Sequence, residues 1–336
     1  MPKDGYRVAV VGATGAVGQH MLGILAERSF PVSEIVVFGS ARSAGRRLSW
    51  AGRELAVAPL EPAVFAGVEL ALFSAGSSVS REWGPVAAGQ GALVVDNSSA
   101  WRMDPEVPLC VPEVNLEAAR SRPKGIVANP NCSTIQMVLV LKPLHDVARI
   151  RRVVVSTYQA ISGAGSQALE ALRDQQRGLT AGEGLETERL AGRLAGNLLM
   201  HWKVDRSTGY QEEELKMLHE TRKILDDSEI RVSPTTVRVP VEVGHSESVA
   251  VETERPITPE QARKLLSDAA GVEVVDDFAQ GVYPQPIDVA GKDPVLVGRI
   301  REDLGNPGGL QMWIVGDNLR KGAALNAIQI AEQLLL

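Results

Sequence analysis

Cys132 sits in ANPNCSTIQ, residues 128–136, where a thiol follows Asn-Pro-Asn and opens a long apolar run. A helix beginning there would offer the thiolate its first N–H groups and its dipole, lowering the thiol pKa. Such a thiolate attacks carbonyl carbon, and a nicotinamide can then exchange hydride with the tetrahedral adduct. The competing reading is an inert buried thiol, which suits the only other cysteine, Cys110 in PLCVP, better. His245, in GHSE, is a second candidate: imidazole titrates in the range needed to exchange protons with an adduct oxygen. A lone histidine in a strand is, however, more often a packing residue.

The third feature is GATGAVG, residues 12–18, directly after the β-rich run RVAVV. Glycines at Gly12, Gly15 and Gly18 allow a tight turn and let a pyrophosphate approach the main chain at a helix N-terminus. Thr14, Ala16 and Val17 complete the expected dinucleotide loop; glycines kept for helix packing are the alternative. An NAD site usually has an acid at the end of the second strand for the ribose 2′-hydroxyl. Here that end reads FGSARSAGRR. Ser40, Arg42 and Ser43 offer a cation and two hydroxyls, suited to a 2′-phosphate, so NADP is expected over NAD. A solvated basic loop is the other reading.

These residues need a frame. Strands are expected at 7–11, 34–38, 68–73 and 92–95, with a helix over 17–28. The third and fourth strands close in SAGSS and DNSS. Strands alternating with helices and ending in small polar loops predict an α/β fold with a doubly wound parallel sheet, a Rossmann domain, whose ligands bind at the strands' carboxyl ends. Ser74, Ala75 and Gly76 lie in one such loop. Residues 135–141 are apolar on nearly every side, as in a buried helix. A strand is expected at 152–155, a mostly helical stretch over 166–226, and a strand over 237–243, where Val237, Val239, Val241 and Val243 share one face. Strand character continues through Val249, Val251 and Thr253. The last segment predicts a helix with Ala324, Ala327, Ile328, Ala331, Leu334 and Leu335 on one stripe. The predicted organisation is a cofactor domain over 1–130, an α/β substrate and dimerisation domain over 131–318, and a helix at 319–336 packing back on the first domain.

Bulk properties narrow the function. The chain has 336 residues, 44% hydrophobic and 23% charged, typical of a globular protein of about two domains. A net charge of −6 and 4% aromatic residues argue against a nucleic-acid partner. No run approaches the ~18 apolar residues of a membrane span, and the N-terminus lacks the zones of a signal peptide. Two cysteines make no disulfide framework, so a cytoplasmic protein is expected. The scattered histidines give no metal spacing, and no metal is expected.

Ten stretches occur in order: GATGAVG, SARSAG, VVDNSSAWR, VPEVN, NPNCSTIQ, TYQAISGAG, EEELKM, ETRKI, RVPVEVGHSE and DNLRKGAALNAIQIAE. Together they resemble the aspartate-semialdehyde dehydrogenase family over nearly the whole chain. NPNCSTIQ with a downstream GHSE carries the resemblance; the glycine loop alone would not. It implies NADPH-dependent reductive dephosphorylation of L-4-aspartyl phosphate to L-aspartate 4-semialdehyde, the branch-point step toward lysine (through diaminopimelate), methionine, threonine and isoleucine. It implies Cys132 as nucleophile, passing through a thioester and a thiohemiacetal, His245 as acid/base and Gln159 as the residue positioning cysteine and substrate. It implies Asn131 beside the nucleophile, Arg238 on the substrate carboxylate, Glu213 on its ammonium, and Lys216 and Arg102 on its phosphate. For EEELK the competing reading is a solvated helix face. Ser162, Gly163 and Asn318 are implied on the nicotinamide side, and the partners are small substrates and further copies of the chain, as a homodimer or homotetramer.

Arg238 and His245 are seven positions apart. A continuous strand would point them to opposite faces, so a shared pocket requires a bend, expected at Gly244. Residues 177–209 match the family pattern only loosely, and Gly316 stands where a serine is more usual. Three rival readings remain. N-acetyl-glutamyl-phosphate reductase shares the chemistry but carries its cysteine in an HPGCYPT-like context. A family member without catalysis would lack Cys132 or His245. An NADP-binding redox sensor would need a resolving cysteine, and only Cys110 is available.

Overall fold

The computed structural model describes residues 5–190, 192–200 and 203–336, and divides the chain into two compact units: 1–131 with 323–336, and 132–322. Ala191, His201 and Trp202, within the stretch that matches the family loosely, lie outside the described residues.

The first unit contains β1 (Tyr6–Val11), α1 (Ala16–Glu27), β2 (Val32–Phe38), β3 (Arg47–Trp50), β4 (Arg53–Ala58), β5 (Leu70–Phe73), α2 (Ser77–Gly89), β6 (Leu93–Asp96), α3 (Pro112–Asn115) and β7 (Ile126–Ala128). Its sheet runs β3-β4-β2-β1-β5-β6-β7. Every neighbouring pair is parallel except β3 with β4, which form an edge hairpin. The central strands are buried on both faces, which is why VAVV and LALF read as unbroken apolar runs rather than alternations. The reversal of order on either side of β1 is the doubly wound pattern the sequence predicted. The hairpin β3–β4 and the short β7 were not foreseen.

The second unit opens with α4 (Cys132–Ala148), β8 (Ile150–Gln159), α5 (Ser166–Ala181), β9 (Leu199–Met200), α6 (Glu212–Leu225), β10 (Arg231–Arg238) and β11 (His245–Thr253). It continues with α7 (Pro259–Ser267), β12 (Val272–Val274), α8 (Pro286–Val289), β13 (Val295–Glu302) and β14 (Leu310–Gly316). The mixed sheet runs β12-β13-β14-β11-β8-β10-β9. One face carries Val153, Val155, Val249, Val251, Met312 and Ile314, all buried, and meets α4. The other face is half-open: Val154 and Tyr158 are 39% and 38% exposed, and Tyr158 packs on Trp313 with ring centroids 5.4 Å apart.

After this unit the chain returns to the first through α9 (Leu325–Leu335), preceded by a π-helical turn over Arg320–Ala324. Ala324, Ala327, Ile328 and Ala331 are buried in the first unit's core with Leu22, Leu25 and Cys110.

Two expectations fail here. Residues 166–226 are helical only at their ends; α5 stops at Ala181, where Gly182 takes a left-handed conformation (φ 72°), and much of 183–211 is irregular. The strand expected over 237–243 is instead Arg231–Arg238. Pro240 lacks the N–H a strand interior needs, and Val241 N–H turns back to the Val239 carbonyl at 2.8 Å. Only Val237 of the alternating valines is in a strand; Val239, Val241 and Val243 lie in the loop after β10.

Candidate active site

The failed strand solves the spacing of Arg238 and His245. Arg238 ends β10 and His245 begins β11, so they sit on different strands with β8 between them. Arg238 is level with Gln159 in the β10–β8 ladder, and Ser246 is level with Tyr158 in the β11–β8 ladder. Arg238, Gln159 and His245 thus stand side by side at one end of the sheet, all buried. Gly244, at φ 96°, turns the chain into β11; a Cβ there would meet Pro286 at 3.0 Å. The turn at Gly244 was foreseen, although it enters a new strand rather than bending an existing one.

Cys132 is the first residue of α4, partly accessible, while the nine residues after it are buried. The thiol therefore stands at a helix start, at the positive end of the helix dipole. Gly322 approaches it closely: a Cβ there would lie 3.0 Å from the Cys132 Cβ. Gln159 Nε2 donates to Ser133 Oγ at 2.8 Å, tying β8 to the residue next to Cys132.

The Ala160 main chain holds both charged partners. Its N–H donates to His245 Nδ1 at 3.0 Å, and its carbonyl accepts from Arg238 Nη1 at 2.8 Å. Because Nδ1 accepts, the neutral imidazole carries its proton on Nε2. That Nε2 is buried and has no hydrogen-bond partner among the described residues. Burial first, then the Arg238 charge, push the His245 pKa down to about 3, with Glu213 acting in the opposite sense. The imidazole is therefore not the freely titrating group the sequence suggested: without a bound anion it is a neutral N–H donor. Gly163 passes close by, and a Cβ there would lie 3.0 Å from Arg238 Nη1 and 3.3 Å from His245 Nε2.

Glu213 and Lys216 share one face of α6 and pair at 3.1 Å. Glu213 is buried, which removes it from the solvated face that EEELK alone suggested. Asn318 is buried and locks the loops around the histidine: its Nδ2 donates to Ser162 Oγ at 2.9 Å and its Oδ1 accepts from Gly244 N–H at 3.0 Å. Both ends of its amide are engaged within this unit.

The first unit carries the glycine loop. Gly12 has φ 87°, and a Cβ on it would lie 2.4 Å from the Ser74 carbonyl oxygen, so the turn is pressed against the loop after β5. A Cβ on Gly18 would lie 2.3 Å from the Gly12 oxygen. These two glycines fix the approach of α1 to β1. Gly15 caps α1 with no side-chain hydrogen bond and no acid in the first turn, which leaves N–H groups and positive dipole for an anion. Thr14, Ala16 and Val17 line the same turn. Ser43 Oγ lies 3.3 Å from both Thr14 Oγ1 and Ser40 Oγ, with Arg42 exposed beside them. Ser74, Ala75 and Gly76 lead into α2, whose N-cap is Gly76.

Arg102 and Asn131 also belong to this unit. Arg102 is buried, donating from Nε to the Asn129 carbonyl at 3.0 Å and from Nη2 to the Asn97 carbonyl at 2.9 Å. Asn131 is buried immediately before Cys132 in the chain. Sequence reasoning passed over what steadies this loop. Asn129 Nδ2 donates to Asn97 Oδ1 at 2.7 Å, and Asn326 Nδ2 donates to Asn129 Oδ1 at 2.7 Å. Asp96 accepts from Ser80 and Ser98 hydroxyls at 2.7 Å each. Burial raises its pKa, and the Ser98 and Ser80 bonds work against that rise. The repeated small polar residues of DNSS and NPN were the available signal. In the second unit Ser133, Gln136 and Glu247 were also passed over, though they lie inside NPNCSTIQ and GHSE.

Cys110 is fully buried and its carbonyl accepts from Asn326 Nδ2 at 3.0 Å, a packing role as expected. Among the described residues no group of histidine, cysteine and acids has metal-binding proximity, and no helix is long and apolar enough to cross a membrane.

Comparison with known proteins agrees in both units. Residues 7–122 match the semialdehyde dehydrogenase NAD binding domain, and residues 141–321 match the semialdehyde dehydrogenase dimerisation domain. Aspartate-semialdehyde dehydrogenase of Aquifex aeolicus is 54% identical over 334 residues, 98% of each chain. The crystal structure of aspartate semialdehyde dehydrogenase II from Vibrio cholerae complexed with ASA superposes with a TM-score of 0.96 at 45% identity, covering 99% of both chains. That of the Candida albicans aspartate semialdehyde dehydrogenase with NADP gives 0.76 at 26% identity over 98% of each chain. These relatives do not favour the N-acetyl-glutamyl-phosphate reductase reading. With Cys132 at a helix start, a histidine and an arginine flanking one strand, and matches running the length of both units, the chain belongs to the aspartate-semialdehyde dehydrogenase family.

Proposed function

We propose that this chain uses NADPH to convert L-4-aspartyl phosphate to L-aspartate 4-semialdehyde, with Cys132 as nucleophile and His245 as proton donor. The observation that carries this reading is the His245 tautomer: a buried Nε2–H with no partner among the described residues, in the same polar cluster as Arg238 and Gln159. Such a hydrogen serves an oxygen that the substrate brings.

The Cys132 thiolate, favoured at the α4 N-terminus, attacks the acyl phosphate carbon; the C–O bond to phosphate breaks and a thioester forms. NADPH supplies the hydride that reduces the acyl carbon. The oxygen of the resulting thiohemiacetal needs a proton while hydride arrives, and must lose it again as the C–S bond breaks and the aldehyde leaves. His245 Nε2 serves both transfers. At rest the depressed pKa leaves the imidazole neutral, a hydrogen-bond donor rather than an acid. A carboxylate paired with Arg238 offsets the guanidinium charge and raises that pKa. The imidazolium formed by taking a proton from solvent, with Nδ1 released from Ala160 N–H, is the acid that gives its Nε2 proton and later takes it back. Arg238 presents a planar fork for that carboxylate, and Glu213 an anion for the ammonium. Lys216 and Arg102 are assigned to the phosphate, Asn131 to the side of the nucleophile, and Gln159 to orienting the Cys132 segment through Ser133. Phosphate attack on the thioester is the reverse of the first step.

The cofactor is assigned to the turn of Gly12, Thr14, Gly15, Ala16, Val17 and Gly18, the loop Ser74–Gly76, and Ser162, Gly163 and Asn318 at the nicotinamide. The uncapped start of α1 fits a pyrophosphate. For the 2′-phosphate the support is the pair of hydroxyls of Ser40 and Ser43 beside Arg42, with no acid at the end of β2. NADP is therefore preferred over NAD, and NADP is the cofactor that accompanies the Candida albicans enzyme. The match to a dimerisation domain and the half-exposed face of the second sheet, with Val154, Tyr158 and Trp313, support a homodimer through that face; a dimer of dimers is the larger assembly to look for. The enzyme is assigned to the cytoplasm, in lysine, methionine, threonine and isoleucine biosynthesis.

The test is NADPH formation from L-aspartate 4-semialdehyde and NADP, with and without phosphate. Phosphate-dependent turnover supports the reading. Folded, NADP-binding protein without turnover refutes it, and N-acetylglutamate semialdehyde is then the substrate to try.

A further inference from the structure

Beneath the cysteine and histidine lies a buried polar layer that the proposed reaction does not use. Gln136 is one helical turn beyond Cys132 on α4, and Glu247 is two residues beyond His245 on β11, hence on the same face. Both are almost completely buried, as is Thr157, the ladder partner of Glu247 on β8. Gln136 Nε2 donates to the His245 carbonyl at 3.3 Å, joining the helix that carries the nucleophile to the main chain of the histidine. Among the described residues, Glu247 Oε1 and Oε2 and Gln136 Oε1 are buried without a hydrogen-bond donor in good geometry.

An ionised carboxylate in that position would be costly, since among the described residues no cation pairs with it. It is next to the Gln136 amide of α4, and its ladder partners are Thr157 on β8 and Ile314 on β14. Burial dominates its ionisation and raises the pKa well above the carboxylate range, while the Gln136 amide opposes this. One proton resolves the layer. A neutral carboxyl has an O–H to give and Gln136 Oε1 has a lone pair to accept it.

We propose that Glu247 is a positioning residue: as a neutral acid it donates to Gln136 Oε1 and holds the amide that ties α4, one turn below Cys132, to His245. Gly316 belongs to the same arrangement. It is the ladder partner of His245, and a Cβ there would lie 2.8 Å from Gln136 Oε1. A serine at 316 would occupy the space the Gln136 amide takes, so glycine at 316 and glutamine at 136 form a matched pair in this chain. The positioning role rests on Cys132 and His245 being the reacting groups; the protonation of Glu247 does not.

The infrared difference spectrum between the wild type and Glu247→Gln at pH 8 tests the protonation. A carboxylic acid C=O band that shifts in D2O and is missing from the variant is expected; a carboxylate band in its place overturns the proposal. Kinetics test the positioning. Glu247→Gln keeps a neutral hydrogen-bonding group, so kcat should stay within about threefold and the pH profile should not move. Glu247→Leu breaks the tie, and kcat should fall about tenfold or more with KM for the semialdehyde little changed. Equal losses in the two variants, or a pH profile displaced by Glu247→Gln, overturn it. Should the wild type not turn over aspartate semialdehyde, the proposed reaction fails while the infrared result still decides the state of Glu247.

Discussion

The two units build their sites in different ways. In the first, the groups assigned to cofactor are mostly main chain: a glycine turn, an uncapped helix start and hydroxyls near solvent. In the second, the groups assigned to catalysis are buried side chains whose charges act on one another: Cys132 at a helix start, His245 neutralised beside Arg238, Glu213 paired with Lys216. A main-chain site tolerates side-chain changes and fails when the backbone cannot pass. A site of buried charges fails when a single group is lost, because its partners stay desolvated. The comparison can be broken at several points.

The largest effect should come from Cys132→Ala. Cys132 is the thiol assigned to the thioester, and Cys110 is fully buried, so phosphate-dependent NADPH formation should drop by about 10³-fold or more, while NADP binding, measured by fluorescence titration, stays near wild type. Loss of NADP binding as well would mean the two sites are not separable. His245→Gln should lower kcat by roughly 10²–10⁴-fold, measured at saturating semialdehyde, and a variant retaining most activity would remove the histidine from proton transfer.

The same histidine makes a stability prediction with a definite sign. Its folded pKa of about 3 lies below the ordinary 6.5. Between those values the unfolded chain binds the proton and the folded chain does not, so its contribution to stability is intact above pH 6.5 and declines as pH falls toward 3. At pH 5 the loss is about 2 kcal/mol. Thermal melts between pH 7 and 5 should therefore fall more steeply for the wild type than for His245→Gln. Parallel curves would mean that the imidazole is not held neutral.

Gly163→Ala tests close packing. The new Cβ would press on Arg238 and His245, and kcat/KM should fall by roughly 10- to 100-fold with little change in melting temperature. An unchanged kcat/KM would show that the loop has room to yield. The smallest effect concerns cofactor choice. Arg42→Ala removes one charge-assisted contact, expected to raise KM for NADP about tenfold and leave KM for NAD unaltered. Equal changes for both would separate Arg42 from the 2′-phosphate.

Much of the fold was open to inspection in the residue order, and the reason differs by region. The first unit announces itself through local chemistry: RVAVV, the glycines and the polar loop ends each dictate their own conformation within a few residues. The buried helix after Cys132 and the apolar stripe of the last helix are equally local. The failures are non-local. Four alternating valines look like a strand whether or not a neighbour is there to pair with, and Pro240 decided otherwise. The described residues between 183 and 211 have helical composition but little regular structure.

For the candidate site, NPNCSTIQ and RVPVEVGHSE pointed, through the family resemblance they carry, to Cys132, His245 and Arg238 as the candidate groups. The tertiary structure alone decided the charge states and the partners. That Arg238 and His245 flank Gln159 follows from strand order, which brings distant segments together. That His245 is neutral, and that Glu247 stands beside Gln136 rather than beside a cation, follows from burial. Desolvation depends on what surrounds a group in space, and no stretch of sequence contains that information by itself.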